Sequence, residues 1–321
     1  MLPTILTTGR PNALVRARLA SAFDVHHLDE APDREALLAA VGPRVRGLAS
    51  TGHAGVGADL MDRLPALEIV AHFGVGYDPV DVGAAAARGV VVTNTPDVLT
   101  EEVADTAFGL LLATVRELSA AEGWLRAGRW ETDGPYPLTR GSLRGRSLGI
   151  VGLGRIGRAI ARRAEAFGLP VAYHSRRPVA DVAHPWYPSA VDLAAAVDTL
   201  MIVAPGGAET RHMIGPAVFD ALGPEGVLVN VGRGSVVDEA GLVEALRAGR
   251  VLAAGLDVFE DEPRVHPGLL DLPRVVLLPH VGSASVATRD AMGALQVDNL
   301  EAWFAGRTPP TPVPETPVPA R

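Results

Sequence analysis

Cysteine and lysine are both absent from the 321-residue sequence. Without cysteine there are no disulfides, no thiolate nucleophile and no cysteine-based zinc site, and a reducing compartment fits. Without lysine, the 29 basic residues are all arginine. That rules out a Schiff base on the chain, a lysine general base and the lysine of a phosphate-binding P-loop. No apolar run reaches the length of a membrane span. The opening stretch, MLPTILTTGR, has no basic start leading into a long apolar region, so no signal peptide is expected and a cytoplasmic protein is. Positive charge is not in surplus either. The net charge of −8 argues against nucleic acid or an anionic membrane as the partner. No metal site is expected.

What remains is an ordinary globular balance, long enough for two domains and apolar enough to give each a core. Short apolar runs alternate with amphipathic stretches. Residues 4–8, 45–50, 67–73 and 90–95 read as buried parallel strands, with helices at 12–20, 33–41 and 58–64 between them. Thr100 suits a helix N-cap, Glu101 and Glu102 suit its first turn, and the apolar register runs to Leu118. Residues 123–145, rich in Gly, Arg and aromatics, read as a surface excursion. A second run of strands follows at 147–151, 170–173, 199–203, 226–231, 251–257 and 274–278. Another long helix spans 285–305, and Gly306 ends it. The tail TPPTPVPETPVPAR reads as extended, and as flexible rather than as a docking peptide.

The alternation implies an α/β fold of two domains. The two long helices bracket the second run, so a Rossmann dinucleotide-binding domain, 100–284, is expected as an insertion into a flavodoxin-like substrate domain made of 1–99 and 285–321. The ligand is expected in a cleft between them, opening about hinges at 95–99 and 282–285.

GLGRIG (152–157) places Gly152, Gly154 and Gly157 in the dinucleotide spacing after a strand and before a helix, with Arg155 and Ile156 inside the loop. Gly152 permits the tight turn, Gly154 lets backbone approach a pyrophosphate, and Gly157 allows close helix–strand packing. The next strand ends about 20 residues beyond the glycine loop, where NAD-specific sites carry an acid for the ribose hydroxyls. Here the sequence is His174, Ser175, Arg176, Arg177. Ser175 can donate a hydrogen bond, and the arginines can supply charge-assisted, fork-shaped bonds to a 2′-phosphate. NADP(H) is therefore the expected cofactor.

Three polar residues fall just past three successive strand ends: Arg233 in VLVNVGRG, Glu262 in LAAGLDVFEDEP and His280 in VVLLPHVGS. Their types suit carbonyl reduction. Arg233 can bind a carboxylate and polarise the adjacent carbonyl. His280 can give a proton to the developing alkoxide. Glu262 can orient the ring and favour its charged form. The expected chemistry is reduction of a 2-oxo acid. The front loop 49–56 places Ser50, Thr51 and His53 as candidates for substrate hydroxyls, or as an ordinary strand-to-helix turn.

Over nearly its whole length the chain resembles the D-isomer-specific 2-hydroxyacid dehydrogenases, with GLGRIG, NVGRG, AGLDVFEDEP and PHVGSAS in the family's order. With YHSRRP and HFGVGYD it looks most like the NADPH-dependent glyoxylate/hydroxypyruvate reductases within it. The resemblance implies D-stereochemistry and small substrates such as glyoxylate and hydroxypyruvate. It carries Arg233, Glu262 and His280 into the roles above. It also puts Asp257 near the nicotinamide carboxamide, the N–H groups of Val75 and Gly76 on the substrate carboxylate, Thr106 and Val231 along the cofactor, and Pro205 beside the adenosine. VAPGGAET (202–210) departs from the family's usual stretch there. Family members use the region around 123–145 to embrace a second subunit. A homodimer is therefore expected, with Trp124, Trp130 or Tyr136 at the interface unless they pack on their own domain. Three alternatives stay open: a non-catalytic NADP(H) sensor, another D-2-hydroxyacid dehydrogenase of the family, and a fold relative that oxidises formate or phosphite.

Overall fold

The structure is a computed structural model that describes residues 2–52 and 54–318. His53 lies outside the described residues, as do the last three residues of the tail. The chain divides into two compact units, Met1–Leu99 with Ser285–Arg321, and Thr100–Ala284. Among the described residues no helix is long and apolar enough to cross a membrane.

The first unit is built on five parallel strands, β1 (Thr4–Thr8), β2 (Asp24–His27), β3 (Val45–Thr51), β4 (Ile69–Phe73) and β5 (Val91–Thr93), in the order β2-β1-β3-β4-β5. This is the flavodoxin-like order. Successive side chains of a strand point to opposite faces, and here both faces are covered. Ile5, Ala49, Ile69 and Ala71 pack beneath the helices Ala13–Ala22 and Val286–Phe304. Leu6, Leu48, Val70 and Val92 face the opposite core with Leu38, Met61 and Leu64. That two-sided burial is why the strands read as continuous apolar runs. β2, DVHH, is partly exposed throughout. As an edge strand it has no apolar run to betray it.

The proline-rich tail is not flexible through residue 318. Its described part docks against the edge strand β5. Pro312 bridges Thr93 in antiparallel sense. The Val313 N–H donates to the Val92 carbonyl (2.9 Å), and the Val92 N–H donates to the Thr316 hydroxyl (2.8 Å). Val313 and Thr316 are buried. Proline has no N–H to give, so the interspersed Val313 and Thr316 make these bonds.

The second unit holds seven strands: β6 (Leu148–Val151), β7 (Val171–His174), β8 (Trp186–Tyr187), β9 (Thr199–Ile202), β10 (Val227–Asn230), β11 (Ala253–Leu256) and β12 (Val275–Leu277). All are parallel, in the order β12-β11-β10-β9-β6-β7-β8. Counted from β6, this is the Rossmann order with one further edge strand. The order reverses beside β6, where a ligand site is expected at the strands' C-terminal ends. β8 is a two-residue edge strand that periodicity cannot detect.

The 123–145 excursion is partly helical, with helices at Leu118–Arg126 and Arg129–Thr132. Trp124 packs edge-on against Tyr136 (5.7 Å between centroids), under the Arg129 guanidinium, and donates to the Gly134 carbonyl. Trp130 is 63% exposed and Leu138 completely so.

Candidate active site

Two of the three glycines of GLGRIG, Gly152 and Gly157, have a steric reason. Gly152 has φ +100°, and a Cβ there would lie 2.9 Å from the Ala204 amide nitrogen. A Cβ on Gly157 would lie 2.3 Å from the Gly152 carbonyl oxygen, so the helix Arg155–Ala166 sits directly on the turn. At Gly154, the N-cap, a Cβ would meet nothing within 4 Å. The loop is tight where it must turn and open where an anion can approach the helix N-terminus. Arg155 and Ile156 form the first turn behind it.

At the end of β7 the turn is fixed from both sides. The His174 ring, through Nδ1, bonds the Tyr187 carbonyl oxygen (2.9 Å). The Ser175 hydroxyl donates to the Arg177 carbonyl (2.6 Å), and Trp186 Nε1–H donates to the Ser175 carbonyl (3.0 Å). Arg176 and Arg177 are left exposed, with Arg176 at 3.9 Å from Glu209. A rigid turn presenting two solvated guanidinium groups suits a phosphate. The Ser175 hydroxyl proton is already engaged, so Ser175 has only acceptor capacity and its backbone N–H to offer. In the neighbouring loop Pro205 is exposed, and its carbonyl accepts from the Thr210 hydroxyl (2.8 Å). Gly206 has a use of its own: a Cβ would come within 3.1 Å of the Arg233 side chain.

Arg233 leaves the end of β10 from a turn that Asn230 ties together. The buried Asn230 amide donates to the Arg233 carbonyl (3.0 Å) and accepts from the Gly232 N–H (3.0 Å). Gly234 follows because a Cβ would fall 1.8 Å from the Phe259 carbonyl carbon. Asn230 was not among the expected site residues. Its one signal is an amide side chain closing an otherwise apolar strand. Val231 is buried, its N–H on the Ile202 carbonyl (3.1 Å). The Thr106 hydroxyl donates to the Gly282 carbonyl (3.1 Å).

His280 is held most firmly. Its Nδ1 lies 2.7 Å from Glu262 Oε2, and Glu262 Oε1 accepts from the Phe259 N–H (2.9 Å). The Glu262 side chain is 12% exposed and that of His280 36%. The pair therefore sits at the rim, with the carboxylate inward and the ring outward. His280 has φ +53°, a left-handed backbone that costs a non-glycine residue about 1 kcal/mol or more. Asp257 imposes it. Its carboxylate accepts the Val281 and Gly282 N–H groups (2.7 and 2.8 Å), and its carbonyl accepts the His280 N–H (2.8 Å). Burial pushes the Asp257 carboxyl above its ordinary value, against the pull of those two N–H groups.

In the first unit, the loop after β4 carries Val75 and Gly76. The Gly74 carbonyl accepts from the Thr95 N–H (2.9 Å), and the Val75 carbonyl accepts from the Asn94 amide (2.9 Å). Ser50 is fully buried with its hydroxyl on His72 Nδ1 (2.9 Å), which withdraws it from the substrate candidates. The Thr51 hydroxyl donates to the Thr8 carbonyl (3.0 Å), so Thr51 has only acceptor capacity left to offer.

Residues 108–282 match the family model described as D-isomer specific 2-hydroxyacid dehydrogenase, NAD binding domain. Among solved structures, the chain is 56% identical, with a TM-score of 0.96, to the NADPH-dependent glyoxylate/hydroxypyruvate reductase of Sinorhizobium meliloti in complex with NADP and malonate, covering 100% of this chain and 99% of that one. It is 48% identical to glyoxylate/hydroxypyruvate reductase A of Arabidopsis thaliana over 92% of this chain and 94% of that protein. It is 49% identical to the hydroxyphenylpyruvate reductase of Plectranthus scutellarioides over 88% and 90%. A Rossmann sheet whose rim pairs a histidine with a glutamate, matched to these relatives along nearly its whole length, places the chain in the D-isomer-specific 2-hydroxyacid dehydrogenase family.

Proposed function

We propose that the protein reduces small 2-oxo acids, glyoxylate and hydroxypyruvate foremost, to the corresponding 2-hydroxy acids, glycolate and D-glycerate, at the expense of NADPH. The observation that carries the reading is the Glu262–His280 pair, 2.7 Å apart at the rim of the Rossmann sheet. A sensor that only binds a nucleotide has no use for a histidine so fixed.

In this reading the unit 100–284 binds the cofactor and the other unit binds substrate. The pyrophosphate lies over Gly152, Gly154, Arg155, Ile156 and Gly157. The 2′-phosphate meets Arg176 and Arg177, supported by His174 and Ser175. Pro205 flanks the adenosine, Thr106 and Val231 line the channel, and Asp257 anchors the turn beside the carboxamide site. Bound NADPH supplies the hydride.

The chain's residues do the rest. The Arg233 guanidinium grips the substrate carboxylate with the Val75 and Gly76 N–H groups, and it draws electron density from the adjacent carbonyl. Glu262 takes one ring nitrogen of His280 and fixes the ring's orientation. The other nitrogen, Nε2, delivers its proton to the oxygen that becomes the alcohol. Each turnover thus consumes one 2-oxo acid, one NADPH and one proton. The site of action proposed is the cytoplasm, where a reductase of this kind meets the reduced NADPH pool.

We also assign the exposed apolar residues Leu118, Leu125, Trp130 and Leu138 to a homodimer interface. Trp124 and Tyr136 instead pack within their own chain. A monomer by sedimentation at micromolar concentration removes that assignment.

Initial rates of NADPH and NADH oxidation, run with glyoxylate, hydroxypyruvate, pyruvate and 4-hydroxyphenylpyruvate, test the whole. Fast NADPH turnover with the first two is expected. Turnover with NADH alone overturns the cofactor reading. Preference for the aromatic acid moves the substrate assignment toward the Plectranthus relative.

A further inference from the structure

We propose that the C-terminal segment, residues 311–316, is a positioning strap for the substrate loop 74–77, acting through Asn94 and Tyr77. The inference rests on the reading that the Val75 and Gly76 N–H groups bind the substrate carboxylate.

A peptide unit is planar, so in the trans form its C=O and N–H point in opposite directions. The 74–75 and 75–76 peptides are not among the cis bonds. The Gly74 carbonyl is drawn to the Thr95 N–H (2.9 Å), which turns the Val75 N–H the other way. The Val75 carbonyl is drawn to the Asn94 side-chain amide (2.9 Å), which turns the Gly76 N–H the same way again. Gly74 N–H also donates to the Thr95 hydroxyl (3.1 Å). Residues 94 and 95 thereby turn both N–H groups away from themselves.

Asn94 lies just beyond the end of β5, where the sheet no longer fixes it. The tail does. The Asn94 N–H donates to the Thr311 carbonyl (3.2 Å), and the Thr311 hydroxyl donates to the Asn94 carbonyl (2.6 Å). Thr311 is clamped in turn by the fully buried Asn299, which accepts its N–H (3.0 Å) and donates to its hydroxyl (2.9 Å). The Thr311 hydroxyl is therefore used both as donor and as acceptor. Further along, the Tyr77 hydroxyl reaches both carboxylate oxygens of Glu315 (3.2 Å each). Prolines 310, 312 and 314 restrict the segment's φ, so little backbone entropy is lost in holding it there. Two N–H groups can share one carboxylate only if both directions are kept, because a hydrogen bond weakens steeply off line.

The test is Thr311→Val, which keeps the side chain's shape and removes its hydroxyl, alongside Asn94→Ala. Truncation before Thr311 would also strip β5 and the Val313 core contact, so it is the less useful variant. Glyoxylate KM and the Kd of oxamate, used as a carboxylate probe on the NADPH-loaded enzyme, should rise about fivefold to tenfold in both variants. NADPH Kd should hold and kcat should change little. A merely structural role would instead lower kcat through lost active fraction and leave KM alone; that outcome, or unchanged KM and oxamate Kd in folded variants, overturns the strap. Amide resonances of Val75 and Gly76 in the wild-type protein separate the two readings. If oxamate leaves them unmoved, the carboxylate loop itself is misassigned. If they move while the variants bind oxamate normally, only the strap fails.

Discussion

At the C-terminal strand ends of the 100–284 unit stand Arg233, Asp257, Glu262 and His280, three of them tied by hydrogen bonds to neighbouring backbone and His280 to Glu262. At the strand ends of the other unit stand Ser50, Thr51, Gly74, Val75 and Gly76, none of them charged, and what they present is largely backbone. Both sheets are parallel and both are covered on two faces, so architecture does not separate them. Side-chain chemistry does. The first set carries ionisable side chains. The loop after β4 in the other unit offers backbone N–H groups, which can meet an anion without a full charge of their own.

The sharpest way to break this comparison is His280→Ala. If proton transfer belongs to the charged rim, kcat should fall by about 10²–10⁴ while NADPH binding, followed by fluorescence titration, stays intact. Retained turnover would leave the two rims chemically equivalent and the assignment wrong. A smaller effect is expected from Arg176→Ala combined with Arg177→Ala. The two groups are exposed, and their bonds to a phosphate are screened by salt. NADPH KM should nevertheless rise roughly tenfold or more while NADH KM scarcely moves. Equal losses for both cofactors would reduce the arginine pair to surface charge.

The same contrast explains what the sequence made legible. Arg233, Glu262 and His280 could be picked out because ionisable side chains stand just past strand ends, and the strands themselves were apolar runs. The glycine loop could be read because the glycine spacing stands between a strand and a helix, with Gly152 and Gly157 answering steric demands. Asn230 escaped notice since its work is done on backbone two and three residues away. Val75 and Gly76 came only from family resemblance, as backbone donors have no side-chain signature. The tail was misjudged for a related reason. Its prolines suggest an untethered extended segment, yet Thr311, Val313 and Thr316 supply the sheet contacts. The edge strands β2 and β8 were invisible because half-exposed or two-residue strands carry no periodicity.

The smallest expected effect concerns the stability of the charged rim. Glu239 is buried with its carboxylate accepting the Glu260 N–H, and burial raises its carboxyl above the ordinary value; Asp257 is raised for the same reason. For an acid whose folded pKa exceeds the unfolded one, the native state holds a proton that the unfolded chain has already released in the window between the two values. Stability therefore falls as pH rises through that window, and above it the full cost of burying the charge is present. Glu239→Gln keeps an oxygen for the Glu260 N–H and removes the charge. At neutral pH the variant should melt about 1–3 °C higher than the wild type, and the gain should vanish as pH falls to where the wild-type carboxyl is protonated. A pH-independent difference would mean that Glu239 titration does not set it, and a loss at neutral pH would mean that the hydrogen bond to a charged Glu239 outweighs its burial. After such a loss the charged rim would be stabilised by its acids rather than strained by them.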